Sequence, residues 1–85
     1  MLGPTLVEFL GTSLLVGGGA FGGALFAIAG LAIAISLGGR ISGGHFNPAV
    51  TFFKYLNGDI TQTKAFYYVS AQYCASLLIF FLYNL

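Results

Sequence analysis

The chain has 85 residues, of which 58% are apolar and only 6% charged. A soluble domain of this size has a large surface relative to its volume and carries roughly 25% charged residues to cover it. Glu8, Arg40, Lys54, Asp59 and Lys64 are too few, so a soluble monomer is excluded, and so much apolar side chain excludes a disordered chain. A net charge of +1 supplies no basic stripe for phosphates, which excludes nucleic acid as a partner. Cys74 is the single cysteine, so there is no internal disulfide and no multi-cysteine metal site. What remains is a membrane protein whose first partner is the lipid bilayer.

Phe9 to Gly39 carries no charge. As one helix it would be about 46 Å long at ~1.5 Å per residue, too long for a bilayer core of ~30 Å. The run Gly17-Gly18-Gly19-Ala20-Phe21-Gly22-Gly23 interrupts it. Glycine in a helix interior costs up to ~1 kcal/mol relative to alanine, so the cluster predicts a turn. Two spans follow, near Leu2–Gly17 and Phe21–Leu37, joined by a tight uncharged loop. Gly18 and Gly22 also have the spacing of a helix-contact motif, but the turn is the preferred reading. A signal peptide fits the start badly: no basic segment precedes the apolar run, and Glu8 lies inside it.

The segment from about 41 to 56 is too short and too polar at its start to cross. Asn47-Pro48 is a strong helix start, asparagine as N-cap and proline at the first helical position. A short apolar helix follows through Ala49, Val50, Thr51, Phe52 and Phe53 and ends near Asn57-Gly58. Backbone that enters a membrane as coil is tolerated only against protein or a water-filled cavity. The sequence thus predicts a re-entrant loop, in as coil and out as half a helix. The N-terminus of that half-helix would bring a partial positive charge of roughly half a unit, and the Asn47 amide, to the bilayer centre. Such a dipole repels cations and holds a water oxygen.

The last uncharged run, Ala65 to Leu85, predicts a third span at about 61–84. Asp59-Ile60-Thr61-Gln62 has the form of a capping box, with Asp59 as cap and Gln62 reaching back; Thr61 is the alternative cap. Arg40, Lys54 and Lys64 all fall between the second and third spans. Positive residues stay in the cytoplasm, which places the N-terminus and the re-entrant loop on the cytoplasmic side and Leu85 outside. The fold class is therefore an all-α membrane protein, residues 1–85 forming one unit of three transmembrane helices and a re-entrant half-helix.

Three motifs in order carry a family resemblance. Ser42-Gly43-Gly44-His45-Phe46-Asn47-Pro48-Ala49-Val50-Thr51 resembles the first signature loop of the aquaporin and glycerol-facilitator family, the major intrinsic proteins. Glu8-Phe9-Leu10-Gly11-Thr12 resembles the family's first-helix motif, and Tyr68-Val69-Ser70-Ala71-Gln72 its third-helix motif. Lys64 fits the start of that helix. The resemblance implies the first half of a fold in which two inverted halves meet at the membrane centre and four chains assemble. It implies that Asn47 donates to permeating water or polyol oxygens, and that Pro48 and Ala49 shape the loop tip. It implies that Glu8 and Gln72 support the loop, that His45 ties loop carbonyls and lines the inner vestibule, and that Ala27, or Phe26 on a slipped register, marks the selectivity position.

The chain holds one Asn-Pro-Ala and no arginine after it. One copy cannot enclose a pore, so the first functional expectation is a channel component for water or small neutral solutes, completed by an inverted second half. Two inverted copies of this chain would conflict with its one-sided positive charge. The second expectation is a non-conducting structural subunit of a larger membrane assembly. Glu8, Asp59 and His45 form no catalytic set, so an enzyme is not expected. Neither is a cofactor or a metal: His45 has no cysteine or acid at ligand spacing. An intramembrane acid such as Glu8 is a candidate proton site, but an acceptor for loop N–H groups is the stronger reading. Gln72 braces rather than contacts a permeant, and Cys74 packs within its span. Phe80, Phe81 and Tyr83 are either an interfacial belt or lipid-facing residues.

Overall fold

The computed structural model describes residues 1–85. It contains four helices and no strand: α1 (Leu2–Gly22), α2 (Ala24–Ser42), α3 (Pro48–Leu56) and α4 (Gln62–Tyr83). At ~1.5 Å per residue, α1, α2 and α4 are about 31, 28 and 33 Å long, each close to the ~30 Å of a bilayer core. All three are apolar enough to cross. The third helix in sequence, α3, is only 9 residues long, so it cannot cross.

The first hairpin corrects the expected helix boundaries. α1 continues through Gly17, Gly18 and Gly19 to Gly22, and the break falls on Gly23 alone. Gly23 has φ 84° and ψ −170°, a region open only to glycine. The other glycines stay helical because the partner helix needs the space. A methyl group on Gly18 would overlap the Phe26 carbonyl, and one on Gly30 the Leu14 carbonyl. Farther down, a methyl on Gly38 would strike the Val7 side chain. The pairs 18–26, 14–30 and 7–38 step in opposite directions, so α1 and α2 are antiparallel and in close backbone contact. The spacing of Gly18 and Gly22 is thus a contact feature rather than the turn.

α4 returns beside α1. Glu8 meets Gln72, Gly17 faces Ile79, and the rings of Phe21 and Tyr83 lie edge to face at 5.5 Å. Both numbers rise together, so α1 and α4 are parallel. Tyr83 thereby clamps the far ends of the two helices, while Phe80 and Phe81 stay exposed. Cys74 is also exposed and does not pack in the core, because it faces away from the stripe Tyr68, Ala71, Gln72, Ala75 and Ile79 that α4 buries.

The α4 cap is Thr61, whose side chain accepts from the Lys64 N–H at 3.1 Å. Asp59 does not cap it. Its carboxylate takes Asn57 Nδ2 at 3.1 Å and lies 3.9 Å from Lys54 Nζ, which closes the α3–α4 connection. Thr61→Ala should therefore destabilise the start of α4 by about 1 kcal/mol. Faster amide exchange at Lys64, with Asp59→Asn close to wild type, would bear this out.

Only 15 of 85 residues are buried, and Glu8, Thr12, Ser42, His45, Thr51 and Gln72 are among them. The interior is thus strongly polar, while leucine, isoleucine and phenylalanine cover the outside. That inversion suits a chain whose solvent is lipid.

Candidate functional site

The loop between α2 and α3 is built around one carboxylate. Glu8 is fully buried and accepts four hydrogen bonds. Its Oε2 takes the Ser42 hydroxyl at 2.7 Å and the His45 N–H at 3.0 Å. Its Oε1 takes the Phe46 N–H at 2.7 Å and Gln72 Nε2 at 3.0 Å. An ionised carboxylate is acceptor-only with room for about four donors, so the match is complete. Two of the donors are loop backbone groups that could find no water at this depth.

Local sequence explains why the loop takes this course. Gly43 ends α2 in the left-handed conformation, with φ 93°. Phe46 has φ 54°, unusual for a residue with a large side chain. Two things hold it there: its N–H on Glu8, and its ring, buried against the open faces of Gly11 and Gly38. Ser42 completes the corner by accepting the Gly44 N–H at 3.1 Å, and Tyr68 donates its hydroxyl to the Ser42 carbonyl.

A second junction forms at Thr51, in the first turn of α3. Its hydroxyl accepts from Gln72 Nε2 at 2.9 Å and is bonded to His45 Nδ1 at 2.8 Å. Gln72 therefore spans from Glu8 on α1 to Thr51 on α3. The His45 ring also meets the edge of Tyr68, with centroids 5.0 Å apart, and Lys64 lies 5.3 Å from the Tyr68 ring. His45 is thus a buried brace on Thr51; the structure does not put its ring on a loop carbonyl.

Depth follows from these contacts. Gln72 is at the middle of α4, and it touches the first turn of α3. The N-terminus of α3 therefore lies level with the middle of a spanning helix, while its far end returns to the start of α4. Asn47 caps that N-terminus by accepting the Ala49 N–H at 2.8 Å on its Oδ1. Its Nδ2 has no partner within the chain, and the residue is exposed. Pro48 is half-buried and Ala49 exposed at the same tip.

The structure thus gathers Glu8, His45, Asn47, Pro48, Ala49 and Gln72, and leaves Ala27 outside the group. Ala27 is half-buried beside Gly19, near the Gly23 turn. It is about 22 Å along α2 from Ser42 at ~1.5 Å per residue. Phe26 next to it is 60% exposed. The residues that sequence reasoning did not single out are Ser42, Phe46, Thr51 and Tyr68. All four lay inside the quoted motifs, but nothing in a one-dimensional pattern marks a hydroxyl as a junction. No three His, Cys, Asp or Glu side chains gather as a metal site.

Three apolar spans and a half-helix locked at mid-depth by a buried carboxylate define an integral membrane protein with a re-entrant loop. The comparisons give the family. The family model described as "Major intrinsic protein" matches residues 18–84, most of the chain. The chain belongs to that family. It is 47% identical to aquaporin TIP1-1 of Arabidopsis thaliana over 49 residues, covering 58% of this chain and 20% of that protein. Aquaporin TIP1-1 of Zea mays is 46% identical over 52 residues, covering 61% and 21%. The glycerol uptake facilitator protein of Pseudomonas aeruginosa is 34% identical over 105 residues, covering 99% of this chain and 37% of that protein. The chain thus spans about a fifth to a third of the length of these relatives. No solved structure gives a significant match.

Proposed function

We propose that this chain is the first half of a channel for water or small neutral solutes, completed by an inverted second half. The observation that carries the reading is the free Nδ2 of Asn47. It is exposed at the N-terminus of a half-helix, at mid-membrane depth, and held from behind by Glu8, His45, Thr51 and Gln72. An exposed donor beside a positive helix end serves a permeating oxygen and repels cations. Its cost in a lipid-facing position makes an aqueous lining the reasonable use.

In this reading Asn47, Pro48 and Ala49 form half of the central constriction, and Ala27 leaves the selectivity region wide. Glu8 and Gln72 support the loop, and His45 fixes α3 through Thr51. Arg40, Lys54 and Lys64 keep the N-terminus and the loop on the cytoplasmic side. The same one-sided charge disfavours an inverted second copy of this chain as the completing half. The completed unit assembles as an oligomer.

The test is osmotic shrinkage of liposomes, followed by stopped-flow light scattering. The chain alone should shrink no faster than empty vesicles. Fused to the second half of the Arabidopsis relative, it should shrink fast, and Asn47→Asp should slow that by about tenfold or more, a barrier increase of at least ~1.4 kcal/mol. A well-inserted fusion that conducts no better than empty vesicles would overturn the channel reading in favour of a structural membrane subunit. Fast shrinkage by the chain alone would show that two inverted copies suffice.

A further inference from the structure

Two buried side-chain atoms lack a hydrogen-bond partner, Thr12 Oγ1 and Gln72 Oε1. Thr12 is 3% exposed and Gln72 1% exposed, so neither atom reaches bulk solvent or lipid headgroups. Buried polar atoms are almost always satisfied, by protein or by ordered water. The two belong to one place in the fold. Thr12 follows Glu8 by one helical turn on the same face of α1. Gln72 is bonded to Glu8.

The register of α1 against α4 fixes what lies between them. With Glu8 opposite Gln72, Gly17 opposite Ile79 and Phe21 opposite Tyr83, Thr12 falls level with Ala75. Ala75 is fully buried and ends at its β-carbon. Its side chain has no polar atom, so it cannot satisfy the Thr12 hydroxyl. The Gln72 amide has no freedom to turn. Its Nε2 is claimed by the acceptors Glu8 and Thr51, so Oε1 must face away from both.

We infer that one water molecule is bound between Thr12 and Gln72, as a structural part of the brace. The site matches water in chemistry as well as place. Gln72 Oε1 only accepts, and Thr12 Oγ1 both donates and accepts. Water can donate to the first while bonding to the second in either sense, and two polar partners are enough to hold a buried water. Its effect is on position. It ties the remaining oxygen of the Gln72 amide to α1 through Thr12, and that amide joins α1 to the first turn of α3. This inference does not depend on conduction.

The experiment is a crystal structure of the chain at a resolution that shows ordered water, together with melts of Thr12→Val and Thr12→Ser in detergent. We expect one density peak within hydrogen-bond distance of both oxygens, absent in Thr12→Val. Thr12→Val keeps the shape of the side chain and should melt several degrees lower. Thr12→Ser keeps the hydroxyl and should remain near wild type. A direct Thr12–Gln72 contact, or the Thr12 hydroxyl donated to the Glu8 carbonyl with no density peak, would overturn the inference. So would Thr12→Val melting at or above the wild type, since the hydroxyl would then have no bound partner to lose.

Discussion

Glu8→Gln is expected to release the re-entrant loop while leaving the three spanning helices in the membrane. The substitution keeps the size of the side chain and replaces one acceptor oxygen with a donor NH₂. That group must face one of two donor pairs: Ser42 with His45, or Phe46 with Gln72. Facing Phe46 and Gln72, it leaves two buried donors opposite a donor; facing Ser42 and His45, the Ser42 hydroxyl can turn to accept but the His45 N–H is left without an acceptor. An unsatisfied buried group costs about 1–3 kcal/mol, and bonds to a charged acceptor are roughly twice as strong as neutral ones. About 4 kcal/mol is a reasonable total, a large share of the 5–15 kcal/mol that holds a typical domain together. α1, α2 and α4 are long and apolar on their own account, so their helical content should survive. Amide exchange reads the difference: His45 and Phe46 should lose protection by orders of magnitude, with Ala29 in mid-α2 unchanged. Wild-type protection at both loop amides would mean that Glu8 does not hold the loop.

The sequence carried the outline of this arrangement because its strongest signals are local. Asn47-Pro48 announces a helix start by itself, and α3 begins there. The charge-free runs announce spans because a bilayer demands a length. For Glu8 and Gln72 it is the family resemblance of their motifs that implies support of the loop; Glu8 is bonded to the loop, and Gln72 to Glu8 and to Thr51 of α3. What was not legible depends on contacts between segments distant in sequence. Thr51 reads as one more residue of an apolar half-helix, yet its hydroxyl joins His45 to Gln72. Phe46 reads as a spacer before Asn47, yet its ring fills the space that Gly11 and Gly38 leave open. His45 was expected on a carbonyl, and a threonine took its place because α3 folds back over the loop. Asp59 and Thr61 are both good caps, and a local pattern cannot choose between them; in the structure the Asp59 carboxylate instead accepts from Asn57 Nδ2 and lies 3.9 Å from Lys54 Nζ. The glycine run is the instructive failure. Propensity argued for a turn, but propensity speaks of an isolated helix, and here the neighbour's backbone decides.

Gly30→Ala tests that last point, because the two effects have opposite signs. By helix propensity alone, alanine in mid-helix should stabilise α2 by up to ~1 kcal/mol. By packing, its methyl would overlap the Leu14 carbonyl of α1. Backbone cannot move aside as a side chain can, so α1 and α2 must separate along their contact. Overpacking of this kind costs typically 1–3 kcal/mol. In a bilayer the loss is felt fully, since lipid tails are as apolar as the side chains and close packing is what drives helices together. We expect a net destabilisation of about 2 kcal/mol after the propensity gain. Gly18→Ala, which meets the Phe26 carbonyl, should behave the same way. Gly3→Ala is the control: nothing lies within 4 Å of a methyl there, so only the propensity term should act. Unfolding midpoints in mixed detergent micelles would separate the three. If Gly30→Ala matches Gly3→Ala and unfolds no more easily than wild type, the close crossing of α1 and α2 at Leu14 and Gly30 does not form.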